Sequence, residues 1–477
     1  MHYLLAIVLF FQQPMDTIPP INGNDIASLE SDTVSSKRFV EIGSVFIVGN
    51  NRTKSHIITR EMKLQPGEKI FLEDLNEQLE IDQRNIYNTL LFNSVKLSVI
   101  ELSYGQVDIV VRVSERWYLF PSPYVDLIDR NFNDWWQNEN HDFKRITYGV
   151  KLYQKNFRGR NETVKITALT GFTKTLSLDY LVPFIDKRQK TGMEVRFLFA
   201  EHNTVSYQTV SHKRSFLEGD KILFNTIAGN IGITHRESFY NAHKLVMGYR
   251  KSQITDTIFQ LNQNFFNDNA KDQQYFSLQY SFRRDRRDII AYPLNGYFFE
   301  GMLTKYGLGI LKDLNFSTFY GKFSNYLDLN KGFYLSNNVV LYSNTAKNLP
   351  YHNVSGLGYG QNFVRGFELY VIEGKSYVLN RTNFKKRLFS VDPRLDFVPM
   401  RQFQHMPMAV YLKSYFDMGY VQSFKNYESG LRYVDRLIYG TGIGLDIVTA
   451  YDVVSRIEFS VNSSGESGIF FHMKKEF

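Results

Sequence analysis

The sequence predicts a mainly β protein: a transmembrane antiparallel β-barrel of about sixteen strands preceded by a small α+β domain. Three observations carry this. Apolar and polar residues alternate with a period of two from about residue 117 to the end of the chain, and no buried helix interrupts them. Aromatic residues make up 16% of the 477 residues, with 40 Phe and 31 Tyr, as a barrel with aromatic girdles at both membrane interfaces requires. The chain closes on an alternating segment that ends at Phe477.

Residues 3–11 are apolar. The run is too short to cross a bilayer as a helix, which needs ~20 residues. It fits the apolar region of a secretory signal, so residues 1–13 are expected to be a signal peptide, with His2 as its only candidate positive charge. Residues 14–37, rich in Ser, Asp, Pro and Asn, read as a linker. No further long uncharged apolar run follows, which argues against a helical membrane protein.

Net charge is +8, but Lys and Arg are mixed with Asp and Glu. Arg283, Arg284, Arg286 and Arg287 are interrupted by Asp285 and Asp288. No helix-turn-helix, zinc or aromatic-basic pattern is present, so no nucleic-acid partner is expected. The absence of Cys removes disulfides, thiolate metal sites and Cys nucleophiles together.

Residues 38–116 read as the small domain. Residues 45–48 form a short apolar strand ended by Gly49-Asn50. Thr53 is the expected cap of a first helix, whose apolar side is Ile57, Ile58 and Met62 and which Pro66-Gly67 breaks. A second helix starts near Phe71, with Leu72, Leu75, Leu79, Ile86 and Leu90 on one face. Val95, Leu97 and Val99 alternate as a strand, and Val107, Ile109, Val111 and Val113 alternate as another after a turn at Tyr104-Gly105. The order is strand, helix, helix, strand, strand, a two-layer core with helices on one face of a sheet. With Gly49-Asn50 after the first strand and Glu115-Arg116 after the last, this resembles a POTRA domain, which precedes the barrel in the BamA/TamA superfamily.

Residues 117–477 read as the barrel. Met193, Val195, Phe197 and Phe199 alternate with Glu194, Arg196, Leu198 and Ala200. Ile457, Phe459 and Val461 alternate with Arg456, Glu458 and Ser460. At ~10 residues per strand plus connections the length holds about sixteen strands. Five strand candidates follow residue 364, near 377–389, 408–421, 438–449, 453–461 and 468–477. An odd number of strands after an external loop returns the C-terminus to the side of the small domain. Ile469, Phe471, Met473 and Phe477 share a face. Phe471, Met473 and Phe477 resemble the terminal signal by which outer-membrane barrels are recognised for insertion.

Three further patterns resemble the BamA/TamA superfamily, and with the rest they extend the likeness over essentially the whole mature chain. Asp285, Arg287 and Asp288, followed by Tyr292, Pro293 and Gly296, are similar to its strand end and following turn. Asn295-Gly296 is independently a turn signal, since both can take positive φ. Val364, Arg365, Gly366 and Phe367 match the signature of a loop folded back into the barrel. Phe416, Asp417, Met418 and Gly419 match a segment on a later strand. The resemblance implies that the loop Arg packs against acidic groups of the inner wall. Asp417 shares parity with Lys413 and Tyr415 and is opposite Val410, Leu412 and Phe416, so it faces the lumen. Arg365 is expected to pair with Asp417; Asp446 and Glu458 are the alternatives.

The resemblance implies a protein of the Gram-negative outer membrane with its N-terminal domain in the periplasm. Its partners would be the lipid bilayer, unfolded outer-membrane or secreted polypeptides, and periplasmic or lipoprotein partners at the POTRA-like domain. With only one POTRA-like unit the chain departs from BamA and TamA, whose further units dock partners and substrates. The implied function is insertion or translocation of polypeptides through a laterally gated barrel. A translocator of one dedicated exoprotein in two-partner secretion and a non-specific channel are the alternatives. Pro121 and Pro123 fall either in a weakened first strand, near 119–129, or in the linker between the domains. Glu373-Gly374-Lys375-Ser376 fails as a phosphate loop, because the required earlier Gly is Leu369. No His-Glu-x-x-His or Gly-x-Ser-x-Gly is present, so no enzyme, cofactor or metal is expected.

Overall fold

The computed structural model describes residues 38–102, 105–127, 146–311, 313–395, 397–398, 404, 406–424 and 432–473. The expected signal peptide, the linker and Phe477 lie outside the described residues.

The small domain contains β1 (Phe39–Val48), α1 (Ser55–Thr59), β2 (Lys69–Phe71), α2 (Leu72–Tyr87), β3 (Phe92–Glu101) and β4 (Gln106–Glu115). The sheet order is β2-β1-β4-β3, with β1 parallel to β4. Ile42, Ile57, Ile58, Leu75, Ile86, Ile109 and Val111 form the core between helices and sheet. The short β2 was not expected. It pairs with β1, and the second helix begins directly after it at Leu72, close to the expected start. Leu72 is exposed in the first turn, and Leu90 lies past the helix end with φ +59°. Thr53 does not cap α1, which begins after Lys54. Its hydroxyl donates to Glu115 Oε1 at 2.6 Å. That carboxylate also accepts the backbone N–H groups of Arg52 and Thr53, and a charged acceptor outcompetes a helix end.

The chain then enters β5 (Leu119–Leu127), β6 (Ile146–Phe157), β7 (Glu162–Gly171), β8 (Thr173–Val182) and β9 (Thr191–His202). A separate hairpin, β10 (Thr204–Val210) and β11 (Lys213–Glu218), stands outside the wall. The wall resumes with β12 (Phe224–Arg236), β13 (Asn241–Ile254), β14 (Asp272–Asp285), β15 (Gly296–Tyr306), β16 (Phe316–Asp328) and β17 (Phe333–Asn344). A long connection carries the two-residue strands β18 (Gly356–Leu357) and β19 (Ile372–Glu373), paired with each other. The wall ends with β20 (Ser376–Val391), β21 (Met408–Gln422), β22 (Leu437–Thr449), β23 (Val454–Asn462) and β24 (Ser467–Met473).

These wall strands form one 16-stranded antiparallel sheet running from β5 to β24, each neighbour in chain order. The alternation is inverted relative to a water-soluble protein. Ile443 is 59% exposed on the outer face, whereas Asp417 and Ser460 on the inner face are 0% exposed. Lipid is the solvent that accepts such an outer face. Pro121 and Pro123 lie within β5, not in a linker. The register to β6 is unbroken, with Pro121 opposite Leu152 and Pro123 opposite Val150. Residues of the other parity must therefore exchange the hydrogen bonds with β6. The two nitrogens without N–H face the edge turned away from β6.

The small domain is seated across one mouth of the barrel. Lys54 N donates to Gly159 O at 2.9 Å in the turn between β6 and β7. Phe184, between β8 and β9, packs in the small domain's own core. Arg236 at the end of β12 meets Glu61 at 2.5 Å, and Trp117 N donates to the Tyr451 hydroxyl between β22 and β23. All these turns lie at the same end of an up-and-down barrel.

Outward exposure has a direct test. Ile231, 61% exposed on β12, and Val210, 52% exposed on the β10–β11 hairpin, differ only in facing lipid or water. Ile231→Lys should lower barrel stability by about 2–4 kcal/mol, while Val210→Lys should leave it unchanged. Urea unfolding in lipid vesicles measures both, and equal effects at the two sites would contradict the assignment of the wall.

Candidate functional site

The lumen-facing positions of β22 are Ile438, Gly440, Gly442, Gly444 and Asp446. A side chain cannot replace these glycines without collision. A Cβ on Gly440 would lie 1.8 Å from the Arg365 carbonyl oxygen, and one on Gly442 would lie 2.4 Å from the Tyr415 hydroxyl. On β21, a Cβ at Gly419 would lie 2.7 Å from Val364 Cγ2. Glycine of one parity thus clears a trough in the inner wall, and the connection between β17 and β20 lies in it.

Val364 and Phe367 anchor that connection in an apolar cluster with Leu357, Ile372, Leu379, Val421 and Ile438. Gly366 turns the chain with φ +92°, and its carbonyl accepts from Asn462 Nδ2 at 2.8 Å. This turn points Arg365 along the wall. Its Nη2 and Nε donate to both oxygens of Asp417 at 2.6 and 2.8 Å, and its backbone N–H donates to Asp417 at 3.1 Å. Nη1 donates to Glu458 at 3.2 Å, and the guanidinium lies 3.8 Å from the centre of the Tyr415 ring. Arg365 therefore has both Asp417 and one of the alternative carboxylates. The other, Asp446, binds Lys413 at 2.5 Å, and Lys413 reaches Glu458 at 2.9 Å. Arg456 approaches Asp446 at 3.5 Å. The result is an alternating network of buried cations and carboxylates.

The β14–β15 turn enters this network from the mouth that holds the small domain. Arg287 closes on Asp285 with bonds of 2.6 and 2.8 Å. Asp288 accepts from Leu294 N at 3.1 Å, and Gly296, φ +97°, lets the strand resume where a Cβ would collide with Arg286 O. Asn295 stays outside the left-handed region, so only one residue of the Asn-Gly pair supplies the positive φ. Pro293 is buried beside Tyr292, whose hydroxyl donates to Asp446 Oδ2 at 2.9 Å. At the far mouth the tip of the β10–β11 hairpin closes over the connection. Tyr433 N donates to His212 Nε2 at 3.2 Å, and Tyr433 packs edge-on against Phe367 with ring centres 5.1 Å apart.

Two of the three motif groups thus meet directly, and the third joins through Tyr292. The terminal group does not take part: Phe471 is 73% exposed on the outer face and Met473 closes the last described strand. Sequence reasoning missed Lys413 as the central cation, Asn462, and the glycine trough. Gly440, Gly442 and Gly444 at period two were the available signal, since Gly on one face of a strand marks close approach of another backbone.

A sixteen-stranded barrel with a POTRA-type domain on one mouth and a loop fastened in its lumen defines a class of outer-membrane protein. The profile of the Omp85 superfamily domain matches residues 156–461, and that of the POTRA domain, described as a surface antigen variable number repeat, matches residues 40–116. The chain belongs to the Omp85 superfamily. BamA from Haemophilus ducreyi lacking POTRA domains 1–3 is similar in fold, with a TM-score of 0.50, 16% identity, and coverage of 91% of this chain and 84% of that one. CdiB from Escherichia coli is similar with a TM-score of 0.55, 12% identity, and coverage of 91% and 76%. Comparison with curated proteins finds no match by sequence. Membership supports insertion or translocation of polypeptides at the outer membrane, without separating the two.

Removing one partner of a buried ion pair leaves a stranded charge, which costs about 3–5 kcal/mol. Arg365→Ala and Asp417→Asn should each lower the unfolding free energy on that scale. Exchange of the pair, Arg365→Asp with Asp417→Arg, should recover only part of the loss, because Asp at 365 would face Glu458. A double-mutant cycle measures the coupling; additive losses would mean that the two side chains do not stabilise each other.

Proposed function

We propose that this protein inserts polypeptides into the outer membrane, with its POTRA domain in the periplasm and a client entering at the seam between β5 and β24. The observation that carries this reading is the state of those two edges. β5 and β24 end the strand order, and among the described residues no ladder joins them. Pro121 and Pro123 remove two donors from the seam edge of β5. Val125, Ile469 and Phe471 are 71%, 63% and 73% exposed, so the side chains that flank the seam are accessible. A client strand can supply the missing backbone partner by β-augmentation. The clients would be unfolded outer-membrane or secreted polypeptides, and periplasmic or lipoprotein partners would reach the POTRA domain. The action is one of strand exchange and needs no bond-making chemistry.

The chain has no Cys, so an engineered disulfide can be read without background. Val125→Cys paired with Ile469→Cys or Phe471→Cys should crosslink where the Cα atoms approach within ~7 Å. A locked seam should abolish insertion of a test barrel into vesicles, and reductant should restore it. Efficient crosslinking with unchanged insertion would move the route to the lumen, after the β17–β20 connection has left it, as an exporter or channel requires.

A further inference from the structure

Asn88 of the POTRA domain reaches the β14–β15 turn. Asn88, just past α2, donates from Nδ2 to Asp288 O at 2.9 Å and accepts Ile290 N at 3.1 Å. Two residues beyond Ile290, the Tyr292 hydroxyl donates to Asp446 at 2.9 Å. Asp446 holds Lys413 at 2.5 Å, Lys413 holds Glu458 at 2.9 Å, and Glu458 holds Arg365 at 3.2 Å. The chain of contacts is continuous from the docked domain to the lumenal connection. Its middle members are buried: Tyr292 is 4% exposed and Asp446 is 0% exposed. A weakened contact there is not readily replaced by water.

We infer that Asn88 and Tyr292 are positioning residues that couple the docking of the POTRA domain to the hold on Arg365. Asn88 holds two backbone groups of the same arm of the turn, the Asp288 carbonyl by donating and the Ile290 N–H by accepting, so that arm follows the domain. Tyr292 packs at a tilt against Tyr411 with ring centres 4.9 Å apart, which restrains the direction of its hydroxyl. When the domain lifts, the turn and Tyr292 withdraw. Asp446 then keeps only its cations, and Lys413 shifts toward Asp446 and away from Glu458. Glu458 is left to turn from Arg365, and the grip on the connection loosens. A client or partner that pulls on the POTRA domain would in this way open the lumen side of the site. This takes the β17–β20 connection to be releasable, which the lateral route at the β5–β24 seam does not itself require. Energetic coupling through such a chain is a claim about two sites and one two-state element, and it must be measured as coupling.

Val364 is 1% exposed in the trough, so Val364→Cys places a thiol that reacts only when the connection leaves. The full chain, refolded in lipid vesicles, is labelled with a water-soluble maleimide, with heat-modified gel mobility as the check for a folded barrel. Arg365→Ala sets the rate of the released state. Tyr292→Phe, which removes only the hydroxyl, should raise the labelling rate at least about fivefold. Asn88→Ala should do the same, and the two together should add little beyond either alone, because they act in series. Wild-type rates in both variants, with a fast rate in Arg365→Ala, would overturn the coupling and leave the connection releasable. Independent, multiplicative increases would also overturn it. A slow rate in Arg365→Ala itself would instead remove the reading of the connection on which it rests.

Discussion

The arrangement depends on one guanidinium held away from water. Arg cannot give up its charge at any accessible pH, and a buried cation is tolerated only when it is paired and hydrogen-bonded. Arg365 therefore demands Asp417 and Glu458, and those carboxylates in turn demand Lys413 and Arg456. A cluster of this size needs an inner wall that presents charges on β21, β22 and β23 at matching heights. It also needs backbone-level clearance for the connection that carries Arg365, which is why the facing positions are Gly419 and Gly440. The apolar outer face follows from the same strands: with alternate residues committed to the network, the others meet lipid.

The bilayer sets the second constraint. A strand in hydrocarbon must find a partner for each backbone polar group, and closure of the sheet is the usual solution. Here the wall pairs each strand with its neighbour in chain order, and the prolines of β5 concentrate the missing donors on one edge. The described ladders between neighbours are long: β20 and β21 are paired from Ser376–Gln422 to Val391–Met408. The POTRA domain adds its own constraint at the mouth, where Lys54, Glu61 and Asn88 each hold a different turn.

Much of this was legible in the residues. The period-two alternation carried the strand count and the inner face, since parity alone places Asp417, Lys413 and Tyr415 on the same side. The five strands after residue 364 were bounded by their own turns. The small domain was legible in outline, but β2 was not, because a three-residue strand has too little pattern to be seen. Thr53 had the chemistry of a cap; only the arrival of β4 in space gives it Glu115 instead. The expectation that Arg365 meets inner-wall carboxylates came from the resemblance, with parity placing Asp417 inside; the three candidates could not be apportioned, because Lys413 decides which is shared and its reach depends on the spacing of neighbouring strands. Tyr292 was visible as part of a turn motif, and its contact with Asp446 requires a chain separation of 154 residues to be closed by the barrel itself.

The central claim is that Arg365 holds a connection inside the lumen and that this closes the barrel. Conductance across a planar lipid bilayer tests it most directly, with the wild-type chain and Arg365→Ala compared under the same salt and voltage. A lumen filled by the fastened connection predicts small, infrequent currents for the wild type and large, long-lived openings for Arg365→Ala. A large, constitutively open pore in the wild type, or currents that Arg365→Ala leaves unchanged, would contradict it.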